Sequence, residues 1–307
     1  MSPVVEKSQP NVNLATPYRR LLNDSRRSRC PLCDSPRLVC IGSISYDQPI
    51  LFSSTPTKLE KKPELWACKD CRSAFVQNVL PADIARQLYS QGDSTSRWST
   101  VTFERHKTPE IVAELSHVLG EGKQHLDVGC SGGSLLDFSR ERGCSTVGMD
   151  YSSITREHLE RKGHAWVPSL ESLGGREFDV ITAFDLIEHL YDVRGFLQEC
   201  CHMLRPGGRL VILTGNIDCW SARIAREHWW YVGYPEHIVF PSRVFFERLP
   251  NFKLEKWIPT YASAGYRYPF HRLLLSFLKR KAQRKEYTGL PSWVPDHSLI
   301  ILTKESL

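Results

Sequence analysis

The chain has 307 residues, of which 41% are hydrophobic, and a net charge of +6. That is enough for one large domain, or for a medium domain with a smaller module. No stretch approaches the roughly 18 uninterrupted apolar residues of a membrane span. The start, MSPVVEKSQPNVNLATPYRR, lacks the apolar centre of a secretory signal. A soluble, cytoplasmic chain is therefore expected, and its ten cysteines do not read as a disulfide scaffold.

Arg19, Arg20, Arg26, Arg27 and Arg29 form a basic cluster near the start. Residues 1–28 read as a flexible basic tail, a solvated face or a phosphate contact. Four cysteines follow at metal-ligand spacing: Cys30 and Cys33 in CPLC, Cys68 and Cys71 in CKDC. Each C-x-x-C turn folds two thiolates onto one cation, and two turns close a tetrahedral sulfur site. Such a site has no open position, so the expected Zn²⁺ is structural. The gap from Cys33 to Cys68 exceeds the usual roughly 15–20 residues, and SSTPTKLEKKP within it reads as an exposed loop. Strand-like residues flank both motifs (RLVCIGSI, ELWAC, SAFVQ), which predicts a small zinc ribbon. The six other cysteines have no such partners and read as buried or incidental.

PADIARQLYSQ predicts a connecting helix, so the zinc-ribbon-like module is placed at 29–95. The polar GDSTSRWST predicts a linker. An α/β domain is expected over 96–307. It opens with an amphipathic helix, PEIVAELSHVLG, which sets Ile111, Val112, Leu115, Val118 and Leu119 on one face.

From Gln124 strands and helices alternate. QHLDV, STVGMD, HAWVP, FDVITAFD and RLVILTGN read as strands. SLLDFSRERG, SSITREHLERKG and VRGFLQECCHMLRPGG read as helices, the last stopped by its Pro-Gly. This order predicts a mostly parallel sheet with helices on both faces. A ligand then lies beyond the carboxyl ends of the strands, where Asp127, Asp150 and Asp185 fall.

The turn after the first of these strands is D-x-G-x-S-G-G. The dinucleotide fingerprint from Gly129 would need glycine at positions 131 and 134, where the chain has Ser131 and Ser134. Asp150 follows Gly129 by close to the roughly 20 residues expected of a ribose-gripping carboxylate. Asp127 would repel a phosphate and suits a cationic or amino-acid group. S-adenosylmethionine has a ribose and an amino-acid tail and no phosphate, and fits this charge pattern.

These residues carry a family resemblance. LDVGCSGG, VGMDYS, FDVITAFDLIEHLYD and LRPGGRLVI resemble successive motifs of the class I S-adenosylmethionine-dependent methyltransferases, over Glu110 to Asn216. The resemblance implies a Rossmann-like sheet, mostly parallel with the last strand reversed. It implies that Gly129, Cys130, Ser131 and Gly132 line the methionine part of the cofactor and that Asp127 holds that region. Asp150 would take the ribose hydroxyls, Tyr151 would flank the adenine, and Ser169 and Leu170 would border its edge. Phe184 and Asp185 would close the pocket floor.

The family's sheet ends in a reversed hairpin, for which FKLEKWIPTY and HSLIILTKE are the matching segments. Between them an insert at about 262–296 carries LLLSFLK and then Lys279, Arg280, Lys281, Arg284 and Lys285. It reads as a lid or partner surface, or as an amphipathic contact with a membrane or a lipid-linked substrate. REHWWYVGYPEHIVFPSRVFFERLPNF resembles a W…PEH…F segment of a subset of these enzymes. That subset pairs a Cys-rich N-terminal module with the core in polysaccharide, deoxysugar and secondary-metabolite pathways.

The expected reaction is methyl transfer to a small-molecule acceptor, at a hydroxyl or at carbon, of a sugar, nucleotide-sugar or secondary metabolite. Holding acceptor and sulfonium in line supplies ~7–11 kcal/mol of such a barrier. A general base adds about 10²–10⁴-fold. His237, within PEHIVF, is the leading candidate base, followed by His228 and then His189 beside Glu188. Trp229, Trp230, Tyr231 and Tyr234 would either stack on an acceptor or pack a lid.

Two other readings stand beside this one. An RNA methyltransferase would use the ribbon and basic tails on phosphates. However, FDLIEH ends the fourth strand where base-amino methylation needs [DN]-P-P-[YFW], and the Pro-Cys pair of C5 methylation is missing. Nucleic acid is therefore not the expected partner. A non-catalytic module would be favoured by loss of the glycine turn or of Asp150, and both are present. Oligomeric state is not legible.

Overall fold

The computed structural model describes residues 19–46, 50–53, 55–91, 102–264, 271, 274, 275, 278, 282, 292 and 294–305. Six short strands come first: β1 (Arg19–Leu21), β2 (Leu38–Ser43), β3 (Ile50–Phe52), β4 (Thr55–Leu59), β5 (Glu64–Cys68) and β6 (Ala74–Gln77). The connecting helix follows at Ala82–Gln91. Then come β7 (Gln124–Val128), β8 (Ser145–Met149), β9 (Ala165–Val167), β10 (Phe178–Phe184), β11 (Leu204–Gly215), β12 (Val239–Phe240), β13 (Phe252–Thr260) and β14 (His297–Lys304).

The main sheet has seven strands in the order β13-β14-β11-β10-β7-β8-β9. All neighbours from β11 to β9 are parallel. β14 is antiparallel to both β11 and β13. Of the expected reversed hairpin, therefore, only the last strand runs against the sheet.

Central parallel strands are covered on both faces and carry near-continuous apolar runs. Alternation along each strand sends neighbours to opposite layers. Val180, Val211 and Leu213 pack under Ile111, Leu115 and Val118 of the helix Pro109–Val118. Ile181 and Ile212 face the other layer, with Phe196, Leu197 and Cys200 of the helix Val193–Met203. That helix stops at Met203, earlier than its sequence suggests. Pro206, Gly207 and Gly208 lie instead in β11, where the pairing with β10 shifts register between Phe178 and Val180.

The two C-x-x-C motifs fold alike. Asp34 N–H donates to Cys30 O at 2.9 Å, and Arg72 N–H donates to Cys68 O at 3.0 Å. Cys30 N–H reaches Ser35 O at 2.8 Å, and Cys68 N–H reaches Ser73 O at 2.9 Å. Asp34 and Arg72, each one residue past its second cysteine, both have a left-handed φ of 61°.

The ribbon strands lie in a four-stranded sheet ordered β12-β6-β5-β2. β12 pairs antiparallel with β6 through Val239 with Phe75 and Phe240 with Ala74. This pairing crosses the expected division near residue 96, and one apolar cluster runs from Leu65 and Phe75 to Trp229, Phe240 and Ile212. The linker 92–100 and the cluster Lys279–Lys285 lie outside the described residues. So does most of the 262–296 insert, in which Leu274, Leu275 and Leu278 are helical and exposed. Among the described residues no helix is long and apolar enough to cross a membrane.

Candidate functional site

The turn after β7 is held against the end of β8. Gly129 N–H donates to Met149 O at 2.8 Å, and Cys130 N–H to the same oxygen at 3.2 Å. Gly129 and Gly133 have φ of 75° and 71°, the left-handed region that glycine enters without strain. A Cβ on Gly133 would lie 2.4 Å from the Leu159 side chain. Close packing against the helix Ser153–Arg161 thus forces a glycine there.

Asp150 is drawn back over this turn. Its carboxylate accepts from Ser131 N–H at 3.1 Å and from Ser152 N–H at 2.9 Å. Tyr151 beside it is 49% exposed. Ser169 and Leu170 are half-buried past the end of β9, and the Ser169 hydroxyl meets that of Ser172 at 3.1 Å.

Asp127 is buried at the end of β7. Its Oδ1 accepts from the Thr182 hydroxyl at 2.6 Å, and Thr182 in turn meets His125 Nε2 at 2.9 Å. No described residue donates to Oδ2. Burial pushes the Asp127 carboxyl up to about 7, against the Thr182 hydrogen bond, with Asp150 pushing the same way. Burial likewise pushes the His125 imidazole down to about 3, so it is neutral.

Phe184 ends β10, and Asp185, the next residue, has a left-handed φ of 49°. Lys107 Nζ lies 3.2 Å from Asp185 Oδ2, 3.2 Å from Ala262 O and 5.6 Å from the Phe184 ring centre. Enclosure would raise the Asp185 carboxyl, but the Lys107 ammonium keeps it below the usual carboxylate range. Lys107 is itself buried.

A second group of side chains lies just past β10. Glu188 is fully buried. Its Oε2 accepts from the Thr214 hydroxyl at 2.9 Å and its Oε1 from the Tyr231 hydroxyl. Burial, helped by Asp185, raises the Glu188 carboxyl. His189 Nδ1 lies 3.1 Å from Glu236 O and 3.1 Å from the Tyr89 hydroxyl. His237 Nδ1 lies 2.8 Å from Tyr231 O. The two imidazoles meet edge-on, with ring centres 4.8 Å apart. Ligand atoms of Glu188, His189 and His237 all lie within 4.8 Å of one another.

The sulfurs of Cys30, Cys33, Cys68 and Cys71 also converge within 4.8 Å of one another. Cys30 and Cys71 are 3.7 Å apart, Cys33 and Cys68 3.5 Å. This arrangement fits a zinc-ribbon-like module.

Residues 101–250, just under half of the chain, match a family model described as a methyltransferase domain. The chain carries a methyltransferase domain. The ubiquinone biosynthesis O-methyltransferase of Sinorhizobium medicae (strain WSM419) is 33% identical over 114 residues, 34% of this chain and 46% of that protein. The protein of the same name from Idiomarina loihiensis is 32% identical over 120 residues, 35% of this chain and 49% of that one. The chain spans about half the length of these relatives. The N-methyltransferase NodS from Bradyrhizobium japonicum, solved with S-adenosyl-L-homocysteine, is 16% identical and covers 73% of this chain and 98% of its own, with a TM-score of 0.47.

In this methyltransferase domain the candidate cofactor residues gather at the carboxyl ends of β7, β8 and β10, with Ser169 and Leu170 past β9. The three candidate histidines separate. His189 and His237 meet, whereas the His228 side chain is 60% exposed, with Glu227 at 3.8 Å. Trp229 is fully buried against Tyr231 and Phe240, and Trp230 Nε1–H donates to Asp296 at 2.6 Å. Trp229 therefore packs the interior. The described part of the basic N-terminal cluster is partly neutralised, by Arg26 with Glu64 and Arg29 with Asp34.

Sequence reasoning missed Lys107, Thr214 and Tyr89. Lys107 stands in ERHKTPE with no motif around it, and no spacing signals that it returns to Asp185.

Proposed function

We propose that the chain is an S-adenosylmethionine-dependent methyltransferase acting on an oxygen of a small-molecule acceptor. The observation that carries this reading is the buried Asp127 with an undonated Oδ2, set between a left-handed glycine turn and the preoriented Asp150. The residues fit the cofactor. Asp127 would take its ammonium, Lys107 its carboxylate and Asp150 its ribose hydroxyls. Tyr151 would flank the adenine, with Ser169 and Leu170 at its edge. Gly129, Cys130, Ser131 and Gly132 would border the methionine chain, over the floor formed by Phe184 and Asp185. When bound, the cofactor supplies a methyl group on a positive sulfur.

The Cys30–Cys33–Cys68–Cys71 set would hold a structural Zn²⁺. Its thiolates close the coordination and leave no place for substrate. The acceptor would sit on the Asp185 side, facing Glu188, His189 and His237. An oxygen acceptor is supported by the names of the matching relatives. A sugar or nucleotide-sugar is supported by the W…PEH…F segment, whose His237 lies in this group.

Calorimetric titration with S-adenosylmethionine tests the cofactor, beside Asp150→Ala. Micromolar binding that the variant loses is the expected outcome. A folded, zinc-loaded chain that takes up no cofactor would overturn the reading. An acceptor screen then begins with nucleotide-sugars and ubiquinone precursors.

A further inference from the structure

Glu188, His189 and His237 present three acceptors to one another with no donor between them. Backbone carbonyls can only accept, so His237 Nδ1, on Tyr231 O, is the protonated nitrogen of its ring, while His189 Nδ1 faces both Glu236 O and the Tyr89 hydroxyl and leaves Nε2 bare in the tautomer that donates to the carbonyl. Each Nε2 then carries a lone pair, and no described residue donates to either. His189 Nε2 lies 4.0 Å from Glu188 Oε1. Glu188 keeps further lone pairs after accepting from Thr214 and Tyr231. Imidazoles oriented through Nδ1–H on a carbonyl are how proteins present metal-ligating histidines. The Glu188 side chain is buried, while that of His189 keeps 20% exposure, so the set is reached from solvent on the His189 side.

We propose that Glu188, His189 and His237 bind one divalent transition-metal ion, separate from the four-cysteine site. Two imidazole nitrogens and one carboxylate suit Zn²⁺, Mn²⁺ or Fe²⁺ and do not suit Mg²⁺ or Ca²⁺, which take oxygen ligands. Three protein ligands leave positions open. Given the methyl-transfer reading, on which this part rests, an open position takes the acceptor hydroxyl. There the metal lowers the pKa of the bound hydroxyl, as it does for water. The hydroxyl proton leaves to solvent, and its oxygen bonds to the methyl carbon as the carbon–sulfur pair withdraws onto sulfur. Tyr231, Thr214 and Tyr89 are positioning residues, which hold Glu188 and His189 in place.

The test equilibrates the full chain with Zn²⁺, removes excess metal and measures total metal by plasma mass spectrometry. Wild type is compared with His189→Gln, His237→Gln and, as a control, the exposed His228→Gln. Thermal melting and S-adenosylmethionine titration are run on the same samples. Wild type and the control are expected to hold one more metal equivalent per chain than either of the other variants. Wild type is also expected to deplete the paramagnetic-resonance signal of free Mn²⁺ by one equivalent. Equal metal content across all four proteins, with no Mn²⁺ uptake by the folded wild type, would overturn the site. Metal uptake without cofactor binding would retain the site and remove the methyl-transfer reading. Cofactor binding without the extra equivalent would do the reverse.

Discussion

Asp127 sets the first expectation. Its carboxyl is raised to about 7 by burial, so at pH 6 the cofactor-free fold carries a proton there. The sign for stability follows. A raised carboxylate contributes most below its unfolded value near 3.9, and that contribution fades as pH climbs toward 7. Binding runs the other way, because an ammonium partner needs the ionised form. Cofactor affinity should rise with pH up to about 7, by as much as roughly tenfold per unit, and then level off. Calorimetry between pH 5.5 and 8.5, in two buffers of different ionisation enthalpy, checks both the slope and the released proton. For Asp150→Ala, losing charge-assisted bonds worth about 1.5–3 kcal/mol should weaken binding at least tenfold, and losing the acceptor of Ser131 N–H and Ser152 N–H should also lower the melting temperature.

At the scale of elements, the turn from β7 into the helix Ser134–Arg140 makes a sharp stability claim. Gly133 combines a φ of 71° with a space that would put a Cβ 2.4 Å from Leu159. Gly133→Ala should cost about 1–3 kcal/mol through strain and displacement of the neighbouring helix. Chemical denaturation measures this. An unchanged midpoint would mean that the helix Ser153–Arg161 shifts freely. The element types were legible because each has its own period. QHLDV is β7 as read, and the buried face of Pro109–Val118 carries Ile111, Leu115 and Val118 as its spacing predicts. The boundary at Met203 was not legible, because Pro-Gly-Gly stops a helix equally well wherever the following strand begins.

Across the whole molecule, the ribbon is tied to the methyltransferase domain by β6 with β12 and by a shared apolar cluster. Metal loss should therefore lower the stability of the entire described fold. A Cys68→Ser, Cys71→Ser double variant should melt in one transition, at least about 5 °C below wild type. Two separate calorimetric transitions would instead mean that the ribbon unfolds by itself. The long insert between Cys33 and Cys68 hid this coupling in the sequence. So did the brevity of β12, two residues that form a strand only against β6.

Local chemistry determined the two cysteine knuckles, the glycine turn, the acidic strand ends and the alternation of strands and helices. These depend on residues a few positions apart, where backbone geometry fixes who meets whom. Distant partners were decided by tertiary structure. Lys107 reaches Asp185 across 78 residues, and His189 meets His237 while His228 stays exposed. No periodicity records such meetings. Packing of β10, β11 and the loop before β12 brings the carboxylate and the two imidazoles together.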